Sequence, residues 1–354
     1  MTHVLVVSIG HARALAIRNL LFSFIRLFIA ILISVVARDI ILLLIATLLF
    51  DIAELIFFGV MIKNSGCAIL PKHFNPHLIR QILRYCVPMA VFTLINALNR
   101  DLDKYLIALL TDTETLAIYS NASKPLPFDI ITSAFCTVLV PHITKRIANH
   151  SFDEAALLYK RFLKISYISI GIFCCTALVV APQLLQLLYS EKYLSGLNIF
   201  YIYTLVDLLR FTNITLILSA AGKTRTLMFM GLGSLCTNAV LNILLYHLFG
   251  IVGPAISTLL VTLLFGLVIM HLNAKVLHVH FSAFLETKIF VPFILESFVL
   301  TCVFSFMRNT LMSFGWHYLL ILFLLGGAYA SVMALLNGKT FLESLKQLNC
   351  EASK

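Results

Sequence analysis

Residues 227–272 read LMFMGLGSLCTNAVLNILLYHLFGIVGPAISTLLVTLLFGLVIMHL. The stretch holds no lysine, arginine, aspartate or glutamate, and Gly250 and Ile251 divide it into two apolar runs, Leu227–Phe249 and Val252–Leu272. A helix needs roughly 20 mostly apolar residues to cross a hydrocarbon core about 30 Å thick. Each run meets that length, so the stretch reads as a pair of membrane-spanning helices. Similar runs extend in both directions: Ala14–Val36, Ile40–Ile62, Tyr85–Leu110, Leu116–Ile143, Phe162–Leu188 and Leu197–Ala221 before it, Ile289–Met307 and His317–Leu336 after it. The fold class predicted is an all-α polytopic membrane protein with about ten transmembrane helices.

Composition agrees. Hydrophobic residues make up 60% of the 354 and charged residues 12%, where soluble domains average about 45–50% and about 25%. A water-soluble α/β enzyme is excluded on this ground. The net charge of +10 is read as basic loops facing an anionic leaflet, not as a nucleic-acid surface. Cys86, Cys136, Cys174, Cys175, Cys236 and Cys302 lie in apolar stretches and Cys67 and Cys350 in loops, which points to packing roles and not to a disulfide or metal framework. Met1 to His11 lacks the basic start and small-residue cleavage site of a secretory signal.

The basic residues choose the orientation. One set of loops holds Arg13, Arg18, Lys63, Lys72, Arg80, Arg84, Lys145, Arg146, Lys160, Arg161, Lys164, Lys223, Arg225, Lys275, Lys288, Lys339, Lys346 and Lys354, and the other holds Arg38, Lys192 and Arg308. This bias predicts both termini in the cytoplasm of a cell whose inner membrane carries the protein. His73–Tyr85 and Ser151–Lys164 mix basic and apolar residues at helical spacing and are expected to lie along the membrane surface. The outer loops are short, which leaves no room for a catalytic domain outside.

Charge inside a span costs about 2.5–3.5 kcal/mol per residue on insertion scales, so it marks a wet cavity, a pair or an interface. The densest cluster is Asn99-Arg100-Asp101-Leu102-Asp103-Lys104. Helical spacing puts Thr93, Asn96, Arg100 and Asp103 or Lys104 on one stripe, predicted to line a cavity. The bland alternative is a local network of Arg100 with Asp103 and Asp101 with Lys104. The fourth span carries Tyr119, Asn121, Lys124, Pro125, Pro127 and Asp129, and its prolines predict a broken helix. The sixth carries Tyr203, Asp207, Arg210 and Asn213, with Asp207 and Arg210 one turn apart. Arg26, Asp51, Glu54 and Glu296 stand more alone, and pairing or an interfacial position is expected for each. No protease, esterase, nucleotide-binding or metal motif is present, so neither a catalytic residue nor a cofactor is expected.

Three segments, Arg100-Asp101-Leu102-Asp103-Lys104-Tyr105-Leu106-Ile107, Ala117-Ile118-Tyr119-Ser120-Asn121-Ala122 and Val140-Pro141-His142-Ile143-Thr144-Lys145-Arg146, resemble the Wzx-type O-antigen and polysaccharide repeat-unit flippases of the multidrug/oligosaccharidyl-lipid/polysaccharide superfamily. Ala220-Ala221-Gly222-Lys223-Thr224 and Gly250-Ile251-Val252-Gly253-Pro254-Ala255-Ile256-Ser257-Thr258 are similar to the same family's second half. The resemblance implies two helical bundles around a central cavity, alternating access, and a lipid-linked oligosaccharide as substrate. It also implies membrane lipid and polymerase machinery as partners, with no nucleic acid. In that frame Arg100, Lys104, Lys124 and Arg210 are the expected pyrophosphate-binding cations, and Asp101, Asp103, Asp129 and Asp207 the expected ion-coupling carboxylates. In the resemblance, helices matching the second bundle begin at about Tyr85, which implies that the first four helices of the family pattern are missing from this chain, through a gene start further upstream, a remnant chain, or a partner that supplies the missing lobe. Residues 1–72 then form an N-terminal helix pair, a remnant of the first lobe. Residues 73–280 form the core of a six-helix-type second bundle, and 281–354 a C-terminal helix pair with a cytoplasmic tail. Alternative readings are a multidrug or organic-cation exporter, a membrane-embedded polysaccharide polymerase, ligase or glycosyltransferase, and an inactive fragment.

Overall fold

The computed structural model describes residues 12–36, 40–64, 76–127, 129–210, 214–284 and 286–352. Within these, all long regular elements are helices. They are α1 (Ala12–Val36), α2 (Ile40–Asn64), α3 (Pro76–Leu110), α4 (Thr113–Ala122), α5 (Asp129–Ala148), α6 (Phe152–Val179) and α7 (Ala181–Leu188), followed by α8 (Leu197–Leu209), α9 (Leu216–Ala220), α10 (Thr224–Phe249), α11 (Gly253–Val276), α12 (Thr287–Ser313) and α13 (Tyr318–Ala352). Met1–His11, Arg38, Cys67, Lys72 and Lys354 lie outside the described residues, as do the side chains of Arg13, Arg18, Lys63 and Cys350.

Five stretches among the described residues are long and apolar enough to cross a bilayer: Pro76–Leu110, Phe152–Val179, Thr224–Val276, Thr287–Ser313 and Tyr318–Leu348. The third of these is two helices, α10 and α11, folded back at Gly250, whose φ of +59° suits glycine. A side chain on Gly253 would collide with the Leu245 carbonyl, so the hairpin closes only with glycine there. Large apolar side chains point outward, Phe229, Val240 and Leu244 on α10 and Phe298 and Phe306 on α12 among them. Water would oppose such a surface, and lipid does not.

The chain divides into two compact units, Met1–Gln81 and Ile82–Lys354. In the first, α1 and α2 pair through Phe22, whose ring centroid is 5.5 Å from those of Phe50 and Phe57. Arg26 meets Asp51 at 3.5 Å, the pairing expected for isolated charges in a span. In the second, α6 is the hub: 72% of its most apolar stretch is buried, against 11% for α3. Gly171 admits the Phe293 ring of α12, which a Cβ would meet at 2.6 Å. The Tyr329 hydroxyl of α13 lies 3.1 Å from Thr301 Oγ1 on α12.

Five features differ from expectation. Ser151–Lys164 is not a separate helix. It forms the start of α6, with Ala155, Leu158, Tyr159, Phe162 and Leu163 buried, because its apolar face meets the bundle and not lipid. The described part of His73–Tyr85 likewise is the opening of α3 and not a separate helix. Beyond Leu336 the chain is not a loose tail, since α13 runs on to Ala352. Ser344 and Leu348 are buried there, and Arg161 Nη1 donates to the Gln347 carbonyl at 3.1 Å. The span expected over Phe162–Leu188 breaks at Val180, just before Pro182, into α6 and α7. Arg308, expected in an outer loop, is on α12 instead and only 9% exposed. Its Nη1 donates to the Val179 carbonyl at 2.8 Å, and Nε and Nη2 reach Asn309 Oδ1. A guanidinium thereby satisfies the end of α6, where the helix dipole favours positive charge.

Glu286, just before α12, receives Lys160 Nζ at 3.1 Å and Lys164 Nζ at 3.3 Å, both from α6. Burial acts to raise the Glu286 carboxyl, but the two ammoniums outweigh it and hold it below its ordinary value. A carboxyl depressed in the folded state stabilises the fold above its ordinary pKa, and that contribution fades as pH falls through the depressed one. Detergent-purified protein is therefore expected to lose thermal stability as pH drops below 4.5, with a shallower slope for Glu286→Gln. Equal slopes in a melting series would place the acid sensitivity elsewhere.

Candidate functional site

A cavity of about 450 Å³ opens within the second unit between α3, α10, α11 and the α8–α9 break. Thr93, Asn96, Asn99 and Arg100 of α3 line one side, with Ser234 and Asn238 of α10 and Thr258 and Thr262 of α11 opposite. Arg210 comes in from the end of α8. The predicted stripe of Thr93, Asn96 and Arg100 therefore does face a cavity.

The wall is knit by neutral side chains. Asn99 Nδ2 donates to Ser234 Oγ at 3.2 Å, Asn238 Nδ2 to Asn99 Oδ1 at 2.9 Å, and Ser257 Oγ to Asn238 Oδ1 at 2.8 Å. This chain crosses α3, α10 and α11. One turn beyond Asn238, Asn242 is 1% exposed, and neither of its amide atoms has a hydrogen-bond partner among the described residues. Sequence reading passed over Asn238 and Asn242. Their signal was two amides four residues apart in an otherwise apolar span, where a polar group without a partner is costly.

All but Asp129 of the candidate cations and carboxylates singled out in the sequence have described side chains. Arg100 is on the wall, exposed, with no ion pair among the described residues. Arg210 is also on the wall, and its Nη1 meets Asp207 Oδ1 at 3.3 Å, the pair read from their spacing. Asp207 is 6% exposed, and its Oδ2 accepts the Leu126 N–H at 3.0 Å. That contact explains how the proline break is tolerated. Between α4 and α5, Ser123 N–H goes to the Tyr119 carbonyl and Lys124 N–H to that of Asn121, Pro125 and Pro127 have no N–H, and Leu126 gives its own to Asp207.

Lys104 and Lys124 do not line this cavity. The wall stops at Arg100 because α4 packs against α3 one turn further on. There Asp103, 1% exposed, turns to Tyr119, whose hydroxyl donates to Asp103 Oδ2 at 2.9 Å and lies 3.4 Å from that of Tyr203. Asp103 therefore does not pair with Arg100, while Lys104 pairs with Asp101 at 2.8 Å, as their spacing allowed. Lys124 donates to Asn121 Oδ1 at 2.9 Å and sits 5.4 Å above the Tyr189 ring. Asp129 opens α5, and its side chain, like Asn213, lies outside the described residues.

Helices of spanning length around a polar chamber define the class: an all-α, multi-pass membrane protein. Within it, the chain belongs to the family described as polysaccharide biosynthesis protein, whose model matches residues 11–198. Two solved structures are similar. One is a MOP superfamily transporter from Pyrococcus furiosus, at 17% identity and a TM-score of 0.49, covering 77% of this chain and 67% of that one. The other is a multidrug resistance MATE family transporter of the MOP superfamily in an outward-facing conformation, at 18% identity and 0.47, with coverage of 77% and 67%. No curated protein matches the sequence.

Proposed function

We propose that this chain is a carrier that moves polyprenyl-pyrophosphate-linked oligosaccharide repeat units from the cytoplasmic to the outer leaflet, for surface polysaccharide or O-antigen synthesis. The observation that carries the reading is an exposed guanidinium, Arg100, set in a wall of amides and hydroxyls. A guanidinium fork suits phosphate oxygens, and neutral donors and acceptors suit sugar hydroxyls. Arg210 supplies a second cation beside it. An organic-cation exporter would use free carboxylates on the wall, whereas Asp207 is engaged by Leu126 and Arg210, and Asp103 by Tyr119. Of the coupling carboxylates, Asp103 has the most suitable setting, buried one turn from Arg100. Membership of a polysaccharide biosynthesis family supports the substrate class.

Cells lacking the protein are expected to accumulate whole lipid-linked repeat units on the cytoplasmic leaflet. Extraction and mass spectrometry size the unit, and surface labelling reports what has crossed. A missing glycosyltransferase would leave a shortened unit, and a missing polymerase would leave single units at the surface. Either of those outcomes overturns the carrier reading.

A further inference from the structure

The mechanism above leaves a second cavity unused. It has a volume of about 540 Å³ and lies where α5 ends, α6 begins, α10 begins and α11 ends. Lys223, Lys275, His150 and His278 line it together with apolar side chains that include Phe152 and Leu272. No carboxylate lines it, and neither lysine has an ion pair among the described residues. Both lysines belong to the loop set that carries the basic excess.

The backbone holds this arrangement at a cost. α5 and α11 each run into a histidine with positive φ, His150 at 60° and His278 at 56°, a conformation that glycine adopts more cheaply. Both turns are closed by backbone hydrogen bonds, Ser151 N–H to the Arg146 carbonyl at 2.9 Å and Val279 N–H to that of Ala274 at 3.0 Å. The two imidazoles flank Phe152, with ring centroids 5.8 and 4.9 Å away. Two left-handed histidines on one aromatic ring rigidify a rim whose free charges are all basic.

We propose that this cavity binds the phosphodiester headgroup of an anionic glycerophospholipid, with Lys223 and Lys275 at the phosphate and the acyl chains leaving over Phe152 and Leu272. A free phosphate would leave the apolar part of the cavity uncovered, and a neutral phospholipid would leave a net positive rim. An anionic lipid satisfies both, and the inner leaflet is rich in such lipids. The site is distinct from the cavity of Arg100, so it stands or falls independently of the carrier reading.

The test uses the full chain in neutral detergent, followed by native mass spectrometry with phosphatidylglycerol, phosphatidylcholine of the same chains, and inorganic phosphate. Phosphatidylglycerol is expected to be retained and phosphatidylcholine not, with phosphate at equal concentration failing to displace the lipid. Each lysine changed to glutamine, Lys223→Gln and Lys275→Gln, should weaken retention about fivefold. The arginine versions should keep it, and Lys339→Gln with Lys346→Gln, exposed on α13, should leave it unchanged. If the glutamine variants fail to fold, the comparison of the two lipids on the unaltered chain still decides. Equal retention of both lipids, displacement by phosphate, or equal loss in the α13 variants would overturn the proposal.

Discussion

Replacing Arg100 by glutamine is expected to cut export about tenfold or more, with insertion and protein level unchanged. Hydrogen bonds to a charged group are worth about 1.5–3 kcal/mol, which corresponds to roughly 10- to 100-fold in binding. Arg100 has no ion pair among the described residues, so its removal strands no partner and leaves the fold intact. Lysine at this position keeps the charge and loses the fork, which predicts an intermediate rate. The measurement is surface polysaccharide normalised to membrane protein level. Full export by Arg100→Gln would make the charge irrelevant to the cargo. Arg210 is a less clean target, because its loss also removes the ion-pair partner of buried Asp207.

The second large effect is on stability. Arg308→Ala is expected to destabilise the purified protein by about 2 kcal/mol, since it strips the charged donor from a buried carbonyl at the end of α6. Lysine should recover only part of this, because its compact ammonium lacks the spread fork with which the guanidinium reaches Val179 and Asn309 from separate nitrogens. A melting temperature unchanged in Arg308→Ala would show that water replaces the guanidinium at no cost.

These two arginines also mark what the sequence did and did not disclose. Arg100 was legible because three polar residues on one helical stripe are costly in a span, and Asp207 with Arg210 because one turn separates them. The break between α4 and α5 was written in Pro125 and Pro127. Arg308 was not legible: a cation near a span's end reads as loop, and nothing local announced that α12 continues to Ser313 or that Pro182 opens a helix end beside it. Lys104 and Lys124 were misplaced for a related reason. In a membrane span both the lipid-facing and the core-facing sides are apolar, so periodicity does not say which neighbour a residue meets. The Asp103–Tyr119–Tyr203 contacts join the neighbouring α3 and α4 to the distant α8, and a stripe on one helix cannot report where the others pack. The continuation of α13 past Leu336 escaped notice because its last turns are polar enough to resemble a solvated tail, although Ser344 and Leu348 are buried.

The chain of Asn99, Ser234, Asn238 and Ser257 has an energetic consequence. Every bond in it is neutral; Ser257 and Asn238 are buried, so it is at Asn99 and Ser234, on the cavity face, that a sugar hydroxyl would exchange for a bond of the same kind. Net exchange among such bonds changes free energy by only about 0.5–1.5 kcal/mol each. A cargo sliding along this wall would meet a series of shallow, nearly equal wells. On the proposed carrier reading, a surface of that kind would hold many different sugars weakly and release each of them, leaving the strong, oriented grip to the Arg100 guanidinium, which has no ion pair among the described residues.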